Sequence, residues 1–516
     1  MMNKERNTIM IPGIGSWLTK RTVLTPDKEA VVDGEKRFTY RQLNGRVNRL
    51  SKILQGLGIK SGDRLSILSV NCVEYVETIM AAAKLGVMLV PLNWRLTPTE
   101  LAFILNDSGA ETLLFHPDLM DAANSLHEKV GLKQMVALGR EEMGEASAYE
   151  NLLETQTYDE PIPDRVPDLD TPHIIMYTAG TTGQPKGAVL SQGASFWNAV
   201  NLTVSMDFTS NDRNLAVLPM FHIGGIGLFT LPMLYMGGTV IIQRTFEPAQ
   251  TLALLESEGI TLFFGVAAIF LFLIQHPQFN GQAFKNVRVV MSGGAPLPVS
   301  LVHQYRDAGI MLQQAFGMSE AAPSIATLEK DLAVQKAGSI GKALMHVEAL
   351  VVNDQMAPLP PDQVGELVIR GPNLMQGYWN RIDATKEAFS GGWFHTGDLA
   401  RMDSEGDIYI VDRKKDMFIS GGENVYPAEV ENAIYELPQV SEAAVIGMKD
   451  EKWGEVGMAV VVVKEGRELT QEEAIAHLKG RLAKYKIPKS MVFTDNLPRN
   501  AAGKVLKNAL REAYAL

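Results

Sequence analysis

The sequence has little cysteine and no excess of positive charge. Its only cysteine is Cys72, so an intrachain disulfide is excluded and a reducing, cytoplasmic compartment is expected. We interpret Cys72 as a small buried hydrophobic residue. The net charge of −11 argues against nucleic acid as the main partner, because proteins that bind polyanions are basic overall. A small phosphorylated ligand stays compatible with this charge, since one pocket can be positive on an acidic protein.

Long uninterrupted apolar runs are also absent from the sequence. Ile223–Ile242 carries no charge, but Pro232 and several glycines interrupt it. Ile260–Ile274 is shorter than the roughly 20 residues that span a bilayer. Residues 1–18 mix charged residues with a short apolar patch, unlike a signal peptide. We therefore expect buried strands and helices rather than a transmembrane segment, while peripheral membrane contact and a homodimer stay open.

The length and the hydrophobic pattern indicate a multidomain α/β protein. A chain of 516 residues exceeds what one core usually serves, so two or more domains are expected. Helix-period and strand-like segments alternate over the first 400 residues, as in the helix Tyr40–Leu57, opened by Thr39, and the strand Arg64–Leu68. This alternation predicts parallel sheets covered by helices. Glu142–Leu169 is polar and contains proline, which predicts a surface connection.

The pattern changes after about residue 400. Asp407–Val411 and Met417–Ser420 predict a strand pair around the charged run 412–416. The segments that follow predict a compact α+β module of about 100 residues, a typical size for a small domain. We place the boundary at the charged run, which gives a large domain of residues 1–412 and a small domain of residues 413–516.

A glycine-rich loop, residues 177–187, follows the apolar strand 174–176. Its glycines let backbone N–H groups approach an anion, its threonines add hydroxyl donors, and Lys186 adds a positive charge. The Walker A spacing Gly-x4-Gly-Lys-Ser/Thr is absent. The loop predicts triphosphate binding, and a plain turn between strands is the alternative interpretation.

This loop resembles the signature of the adenylate-forming superfamily, which includes acyl-CoA synthetases, luciferases and adenylation domains of peptide synthetases. The usual loop reads Thr-Ser-Gly-Thr-Thr-Gly-x-Pro-Lys-Gly, and Ala179 replaces its serine, so one hydroxyl contact to phosphate is missing. The resemblance covers about residues 20 to 510 and implies ATP, Mg²⁺ and coenzyme A as ligands. It implies nucleotide contacts from Thr178, Ala179, Gly180, Thr181, Thr182, Gly183 and Lys186, with Thr182 and Lys186 also catalytic.

Later motifs match the superfamily in chain order. In residues 219–225, His222 would take part in catalysis where the acyl chain meets the adenylate. In residues 393–399, Asp398 would bind the ribose, with Arg413 contacting the same sugar. Residues 377–379 resemble a structural strand and turn, and we assign them no chemistry. Two more motifs would line the nucleotide and acyl pockets with Gly293, Gly294, Ala295, Gln314, Ala315, Phe316, Gly317, Met318 and Ser319, and supply the magnesium ligand Glu320.

The resemblance also implies a moving small domain. It would rotate about Lys415, in the charged run, since a hinge needs an exposed residue that tolerates a large backbone change. Ser420, Gly421 and Gly422 would then pass the arm of coenzyme A, and Asn424 is a candidate polar contact. Lys504 would reach the substrate carboxylate and the α-phosphate in the first step and leave in the second.

The predicted acyl pocket contains small or apolar side chains and no fixed cation. Its members are His222, Val266, Gly293, Gly317 and Met318. This composition favours a fatty acid or another hydrophobic monocarboxylic acid, as in bacterial medium- or long-chain fatty acyl-CoA ligases. An aryl acid, a succinylbenzoate and a carrier protein loaded in trans are alternative substrates or acceptors. A luciferase-like oxygenase shares the fold, and a nucleotide-binding regulator without activity is supported only by Ala179.

Overall fold

The computed structural model describes residues 12–141, 143–144, 146–178, 185–450, 452–479, 481–499 and 505–514. Its helices are α1 (Ser16–Leu24), α2 (Tyr40–Gly56), α3 (Val73–Leu85), α4 (Pro98–Ser108), α5 (Met120–Val130), α6 (Tyr149–Glu154), α7 (Gln192–Ser205), α8 (Thr230–Met236), α9 (Pro248–Ser257), α10 (Ala267–Gln275), α11 (Val299–Asp307), α12 (Ile382–Ala388), α13 (Pro427–Tyr435), α14 (Gln471–Leu478) and α15 (Lys507–Tyr514).

The strands form four sheets. They are β1 (Glu29–Asp33), β2 (Lys36–Thr39), β3 (Arg64–Leu68), β4 (Met88–Leu92), β5 (Thr112–Phe115), β6 (Gln134–Ala137), β7 (Ser147–Ala148), β8 (Pro172–Thr178), β9 (Lys186–Ser191), β10 (Arg213–Ala216), β11 (Thr239–Ile242), β12 (Leu262–Gly265), β13 (Val289–Ser292), β14 (Leu312–Gly317), β15 (Ser324–Thr327), β16 (Lys342–Ala343), β17 (Glu348–Val352), β18 (Gly365–Arg370), β19 (Gly377–Tyr378), β20 (Phe394–Met402), β21 (Ile408–Arg413), β22 (Phe418–Ser420), β23 (Glu423–Val425), β24 (Val440–Asp450), β25 (Gly454–Val463) and β26 (Ser490–Phe493).

Two large sheets dominate the first 400 residues. One has the order β19-β9-β8-β4-β3-β5-β6-β7, and the other has the order β16-β15-β14-β13-β12-β10-β11-β1-β2. The inner strands of both sheets pair in parallel, as the alternating pattern predicts. Helix α3 contacts β1 of one sheet and β3 of the other, and its residues are all buried. Because it is buried on every side, α3 joins the two sheets into one core.

Local signals explain several element boundaries. Thr39 caps α2 and exchanges hydrogen bonds with Gln42, which is the capping box that fixes a helix start. Cys72 is buried just before α3, as predicted. The apolar segments 223–242 and 260–274 form a π-helical turn, buried strands and helices α8 and α10. None of the described helices is long and apolar enough to cross a membrane.

The predicted strand pair around residues 412–416 is wrong. β21 pairs with β20 in a four-stranded sheet of order β17-β18-β20-β21, whereas β22 pairs with β23 and β25 in a separate sheet. Apolar alternation marks each strand but carries no information about its partner. The charged run therefore ends one sheet and precedes the next one, which β24 and β26 complete and which α13, α14 and α15 cover.

The interpretation of Glu142–Leu169 as a plain connection is partly wrong. The described part of this segment contains β7 and the helix α6, and Tyr149 and Leu153 of α6 are buried. Two apolar residues four positions apart are enough to bury one face of a short helix, even inside a polar stretch. Glu160 then ties the segment to α2 through Asn44, at an N–O distance of 2.8 Å.

Candidate active site

The glycine-rich loop joins two antiparallel strands. β8 and β9 pair from Pro172 with Ser191 to Thr178 with Lys186, so the two ends of the loop are held side by side in the sheet. Thr178 and Lys186 face each other at its base, where the Thr178 hydroxyl lies 3.5 Å from the Lys186 carbonyl oxygen. Several predicted contacts lie outside the described residues: Ala179, Gly180, Thr181, Thr182, Gly183 and, near the other end of the chain, Lys504.

Lys186, Glu320 and Tyr378 meet beside this hairpin, and we call them the phosphate-side cluster. The Tyr378 hydroxyl donates to Oε1 of Glu320 at 2.9 Å. The Lys186 ammonium lies 5.5 Å from the centre of the Tyr378 ring, within reach of a cation–π contact. Glu320 is only 7% exposed. Burial raises the pKa of its carboxyl, and the Tyr378 hydrogen bond and the charge of Arg413 act in the opposite direction.

The predicted ribose pair is brought together by a strand register. Asp398 on β20 is the direct partner of Arg413 on β21, and the Arg413 Nε lies 3.2 Å from Asp398 Oδ1. Asp398 is 3% exposed, so an unpaired charge there would be costly. Both residues act on the pKa of Glu320, Asp398 by raising it and Arg413 by lowering it. The charges of the predicted sugar site thus act on the phosphate-side cluster.

The predicted adenine wall lies where β13 and β14 end. Ser292 pairs with Gln314, and a Cβ atom on Gly293 would lie 2.8 Å from the Ala315 carbonyl oxygen. Only glycine permits this close approach. Among the described residues, Oε1 of Gln314 and Oγ of Ser292 are buried without a hydrogen-bond partner. Such groups are uncommon in native proteins, and an N–H donor of a bound base would satisfy Gln314.

The other predicted residues of this wall follow directly along the chain. Phe316 and Met318 are half-buried against the main core, and the backbone N–H of Met318 donates to Pro323 at 2.9 Å. A Cβ atom on Gly317 would lie 2.2 Å from the Pro323 carbonyl oxygen. Ala295 follows Gly294 in the loop that ends β13, and Ser319 begins the short 3₁₀ turn that carries Glu320.

The predicted acyl residues border the same wall. Val266 is the N-cap residue of α10, and a Cβ atom on Gly294 would lie 3.7 Å from it. His222 is exposed, just before the π-helical turn Gly224–Leu228, and its ring lies 6.3 Å from that of Phe221. Phe221 in turn contacts Trp94 edge to face, at 6.5 Å and 85°. Aromatic side chains therefore lie on the His222 side of the predicted acyl pocket.

Residues 414–416 are held from two sides. The Lys414 N–H donates to Gly397 O at 2.9 Å, and its ammonium lies 3.3 Å from Glu366. Two positions later, Asp416 pairs with Arg511 of α15 at 2.9 Å. Lys415, between them, is exposed. One neighbour of Lys415 is thus tied to the four-stranded sheet and the other to the C-terminal helix.

The predicted coenzyme A residues form a tight turn, and we call Ser420–Asn424 the glycine hairpin. It connects β22 to β23, and Gly421 and Gly422 have φ values of +62° and +88°. Left-handed values at both turn positions are typical of two-residue hairpins and favour glycine. The Gly421 N–H donates to the Trp453 carbonyl at 2.8 Å. Asn424 is exposed, and its Nδ2 lies 3.4 Å from the Tyr426 hydroxyl.

Two carboxylate sites among the described residues could hold a metal ion. Glu320 is buried, supplies hard oxygen ligands and has its second carboxylate oxygen beyond the Tyr378 hydrogen bond, which suits Mg²⁺ shared with phosphate oxygens. A second acidic group, Asp403, Glu405 and Asp407, could also hold a cation. There the ammonium of Lys336 already contacts the carboxylates, at 2.9 Å from Asp403 and 2.6 Å from Asp407. We therefore assign this group a structural role.

Three residues of this region escape prediction from the sequence: Tyr378, Lys414 and Arg511. The motif of residues 377–379 carries the signal for Tyr378, but only as a structural strand. Its contact with Glu320 joins residues 58 positions apart, and the contact of Arg511 with Asp416 joins residues 95 positions apart. Such pairings depend on sheet topology, so no local pattern marks them.

Comparisons with known proteins show the family of the chain. Residues 18–379 match the AMP-binding enzyme family, and residues 429–504 match the AMP-binding enzyme C-terminal domain. The chain is 41% identical to a feruloyl-CoA synthase of Amycolatopsis sp over 502 residues, covering 97% of this chain and 99% of that protein. It is 37% identical to a long-chain-fatty-acid–CoA ligase of Mycobacterium tuberculosis over 507 residues, covering 97% and 98% of the two chains.

A solved structure shows the same fold. It is the o-succinylbenzoate coenzyme A synthetase of Bacillus subtilis in complex with ATP and a magnesium ion, with a TM-score of 0.85 and 32% identity. The similarity covers 96% of this chain and 99% of that one. The expected α/β fold, with a large N-terminal part of helix-covered sheets and a smaller C-terminal part, is confirmed. The chain belongs to the AMP-binding enzyme family.

Proposed function

We propose that this protein is an ATP-dependent, AMP-forming acid–CoA ligase that acts on a hydrophobic aromatic monocarboxylic acid. The observations that carry the proposal are the contacts within the phosphate-side cluster and the Asp398–Arg413 pair, whose two charges act on the pKa of Glu320. These residues supply the groups that Mg·ATP requires: a cation for the phosphates, a carboxylate for the metal and a polar pair for the ribose. The AMP-forming ligase reaction also agrees with the family and with its relatives, which are CoA ligases.

In the first half-reaction, the substrate carboxylate attacks the α-phosphorus of ATP and pyrophosphate leaves. Lys186 and the glycine-rich loop would bind the phosphates, Asp398 and Arg413 the ribose, and Phe316 the adenine face. Glu320 would hold Mg²⁺, which offsets the negative charge of the phosphates when bound. Positioning and electrostatics carry most of such a step, because phosphoryl transfer needs little covalent help from the protein.

We assign Lys504 to this first half-reaction alone. A Lys504→Ala variant should lose acyl-adenylate formation and keep thioester formation from preformed adenylate, because only in the first step is the α-phosphorus attacked. Pyrophosphate exchange and single-turnover thioester formation measure the two steps separately. Equal loss in both steps would contradict the assignment.

The second half-reaction requires the C-terminal part to move. The contacts on either side support Lys415 as the pivot: Lys414 is held by Gly397 and Glu366, and Asp416 is held by Arg511. If the contacts of Lys414 and Asp416 persist during the rotation, the change in backbone dihedral angles is confined to one exposed residue, Lys415. The boundary between residues 1–412 and 413–516 coincides with this point. The glycine hairpin would then approach the adenylate, and the thiol of coenzyme A would attack the acyl carbonyl as AMP leaves.

An aromatic acid fits the acyl side best. Phe221 lies beside His222 and contacts Trp94 edge to face, and Phe264 lies beside Gly293, where a Cβ atom would be 2.9 Å from its ring. Aromatic rings prefer such edge-to-face surroundings. A relative that acts on ferulate agrees with this choice. A fatty acid is the second candidate, supported by the relative that acts on long-chain fatty acids.

A substrate panel tests the proposal. Pyrophosphate release with ATP and Mg²⁺ would be measured with ferulate, o-succinylbenzoate and hexadecanoate, followed by thioester detection with coenzyme A and with a pantetheinylated carrier protein. We expect the highest kcat/KM for ferulate and thioester only on coenzyme A. A preference for hexadecanoate would favour the second candidate, and release of no pyrophosphate with any acid would contradict the ligase reaction.

A further inference from the structure

Tyr378 lies on the short strand β19, which pairs with the strand that follows the glycine-rich loop. β19 pairs with β9, with Tyr378 opposite Ala188. The next N–H along the chain, of Trp379, donates to the Gly187 carbonyl at 2.7 Å. β19 therefore fixes the outer edge of the strand that begins at Lys186.

The same segment also holds Glu320 twice. The Met375 N–H donates to the Glu320 carbonyl at 2.7 Å, and the Tyr378 hydroxyl donates to the Glu320 carboxylate at 2.9 Å. One stretch of four residues thus binds both the backbone and the side chain of Glu320. Hydrogen bonds to a charged group are stronger than neutral ones, so this contact fixes the carboxylate orientation.

The ring of Tyr378 serves the opposite charge. The Lys186 ammonium lies 5.5 Å from the ring centre, and in the part of the chain that the structure describes no ion pair joins Lys186 to Glu320. A buried carboxylate and an ammonium that can reach each other tend to pair. The ring holds the ammonium on its face while the hydroxyl binds the carboxylate.

The position of the ring is fixed by its own backbone. The Tyr378 N–H donates to Oγ1 of Thr385 at 2.9 Å. Gly377, directly before it, has a φ of +149°, and a Cβ atom there would lie 2.7 Å from Thr385. Helix α12, which carries Thr385, therefore packs closely against β19 and leaves little freedom for the ring.

We infer that Tyr378 is a positioning residue of the first half-reaction, which keeps Glu320 available for the metal and Lys186 available for the phosphates by holding the two charges apart. The inference rests on the proposed function, since it concerns Mg·ATP. Loss of the hydroxyl should release the carboxylate, and loss of the ring should let the two charges pair. These two losses have different consequences for ATP binding.

The test is the affinity for ATP, measured by calorimetry with Mg²⁺ and, separately, with excess EDTA. Tyr378→Phe should weaken binding about 10-fold with Mg²⁺, because the lost bond is to the metal-type carboxylate, and leave metal-free binding unchanged. Tyr378→Leu should weaken binding in both conditions. Tyr305→Phe is the matched control, since it removes a buried hydroxyl that donates to Phe270 at 2.7 Å, in a different core. It should lower thermal stability and change neither affinity.

A second background isolates the path through Glu320. In a Glu320→Gln variant, adding Tyr378→Phe should change the affinity for Mg·ATP by less than about 2-fold, since pairs that act as a unit are not additive. A full further loss would overturn the inference, as would a Tyr378→Phe variant that binds like the wild type or weakens equally in both conditions. If the wild type bound no ATP, the proposed function would fail instead.

Discussion

The phosphate-side cluster and the glycine hairpin differ in how firmly the fold holds them. Glu320 is 7% exposed, and Tyr378 and Met375 bind its side chain and its backbone. In the glycine hairpin, a Cβ atom added to Gly422 would meet no other atom within 4 Å, and Asn424 is exposed. A group that orients charge gains from a rigid setting, whereas a group that arrives after a domain rotation must be accessible.

This contrast separates the two half-reactions in space. The first should depend on side chains packed between the large sheets and the four-stranded sheet. The second should depend on the segment that follows Lys415. Variants in one region should therefore affect one half-reaction much more than the other.

Among variants of the segment that follows the large sheets, restricting the backbone at the pivot should have the largest effect. Lys415→Pro should slow thioester formation from preformed adenylate roughly 100-fold, because a misplaced group can cost that much in rate. Adenylate formation should change little. Lys415→Ala is the control, since it removes the side chain and leaves the backbone able to turn. An unaffected second step in the proline variant would exclude Lys415 as the pivot.

Blocking the glycine hairpin should have a smaller effect. Gly422→Leu should raise the KM for coenzyme A about 10-fold, as expected for an altered pocket wall. Gly466→Leu is a matched control, because Gly422 and Gly466 have φ values of +88° and +72° and a Cβ atom at either position would meet nothing within 4 Å. Backbone strain alone would affect both variants equally. If the two variants gave the same KM for coenzyme A, the hairpin would not contact it.

The free energy of unfolding should also depend on pH, through a buried histidine that takes no part in the chemistry. Burial lowers the pKa of His173, on β8, to about 4. Between pH 6.5 and 4, His173 binds a proton in the unfolded chain but not in the folded chain. The free energy of unfolding therefore decreases as the pH is lowered. The difference corresponds to about 3 kcal/mol.

A His173→Gln variant should therefore lose less stability than the wild type over this interval. Urea denaturation at pH 6.5, 5 and 4 measures the change in the free energy of unfolding. The same pair at pH 8, where neither state carries the charge, gives the packing cost of the substitution. Parallel pH dependence of the two proteins would contradict the role of His173.

The sequence predicts elements and motif order better than it predicts partners. The boundaries of α2 and β3 follow from local periodicity and a capping box, all within a few turns of chain. A resemblance assigns Asp398 and Arg413 to one ribose, and the hairpin register of β20 and β21 places them opposite each other. Local signals suffice wherever the pairing is local.

The contacts that locate the charged groups are long-range. Tyr378 reaches Glu320 only because β19 adds to the edge of β9, and a short strand of two residues carries no periodic signal. The wrong pairing of residues 407–411 with 417–420 has the same cause, since strands that are neighbours in the chain need not share a sheet. The assigned roles of Glu320, Lys186 and Lys504 stay predictions until they are tested.

The separation of the two half-reactions is tested most directly with Glu320→Gln. Pyrophosphate exchange would report adenylate formation, and single-turnover thioester formation from synthetic acyl-adenylate would report the second step. We predict a loss of about 100-fold or more in the first measurement, as for removal of a group that stabilises developing charge, and less than about 3-fold in the second. A similar loss in both measurements would contradict the account.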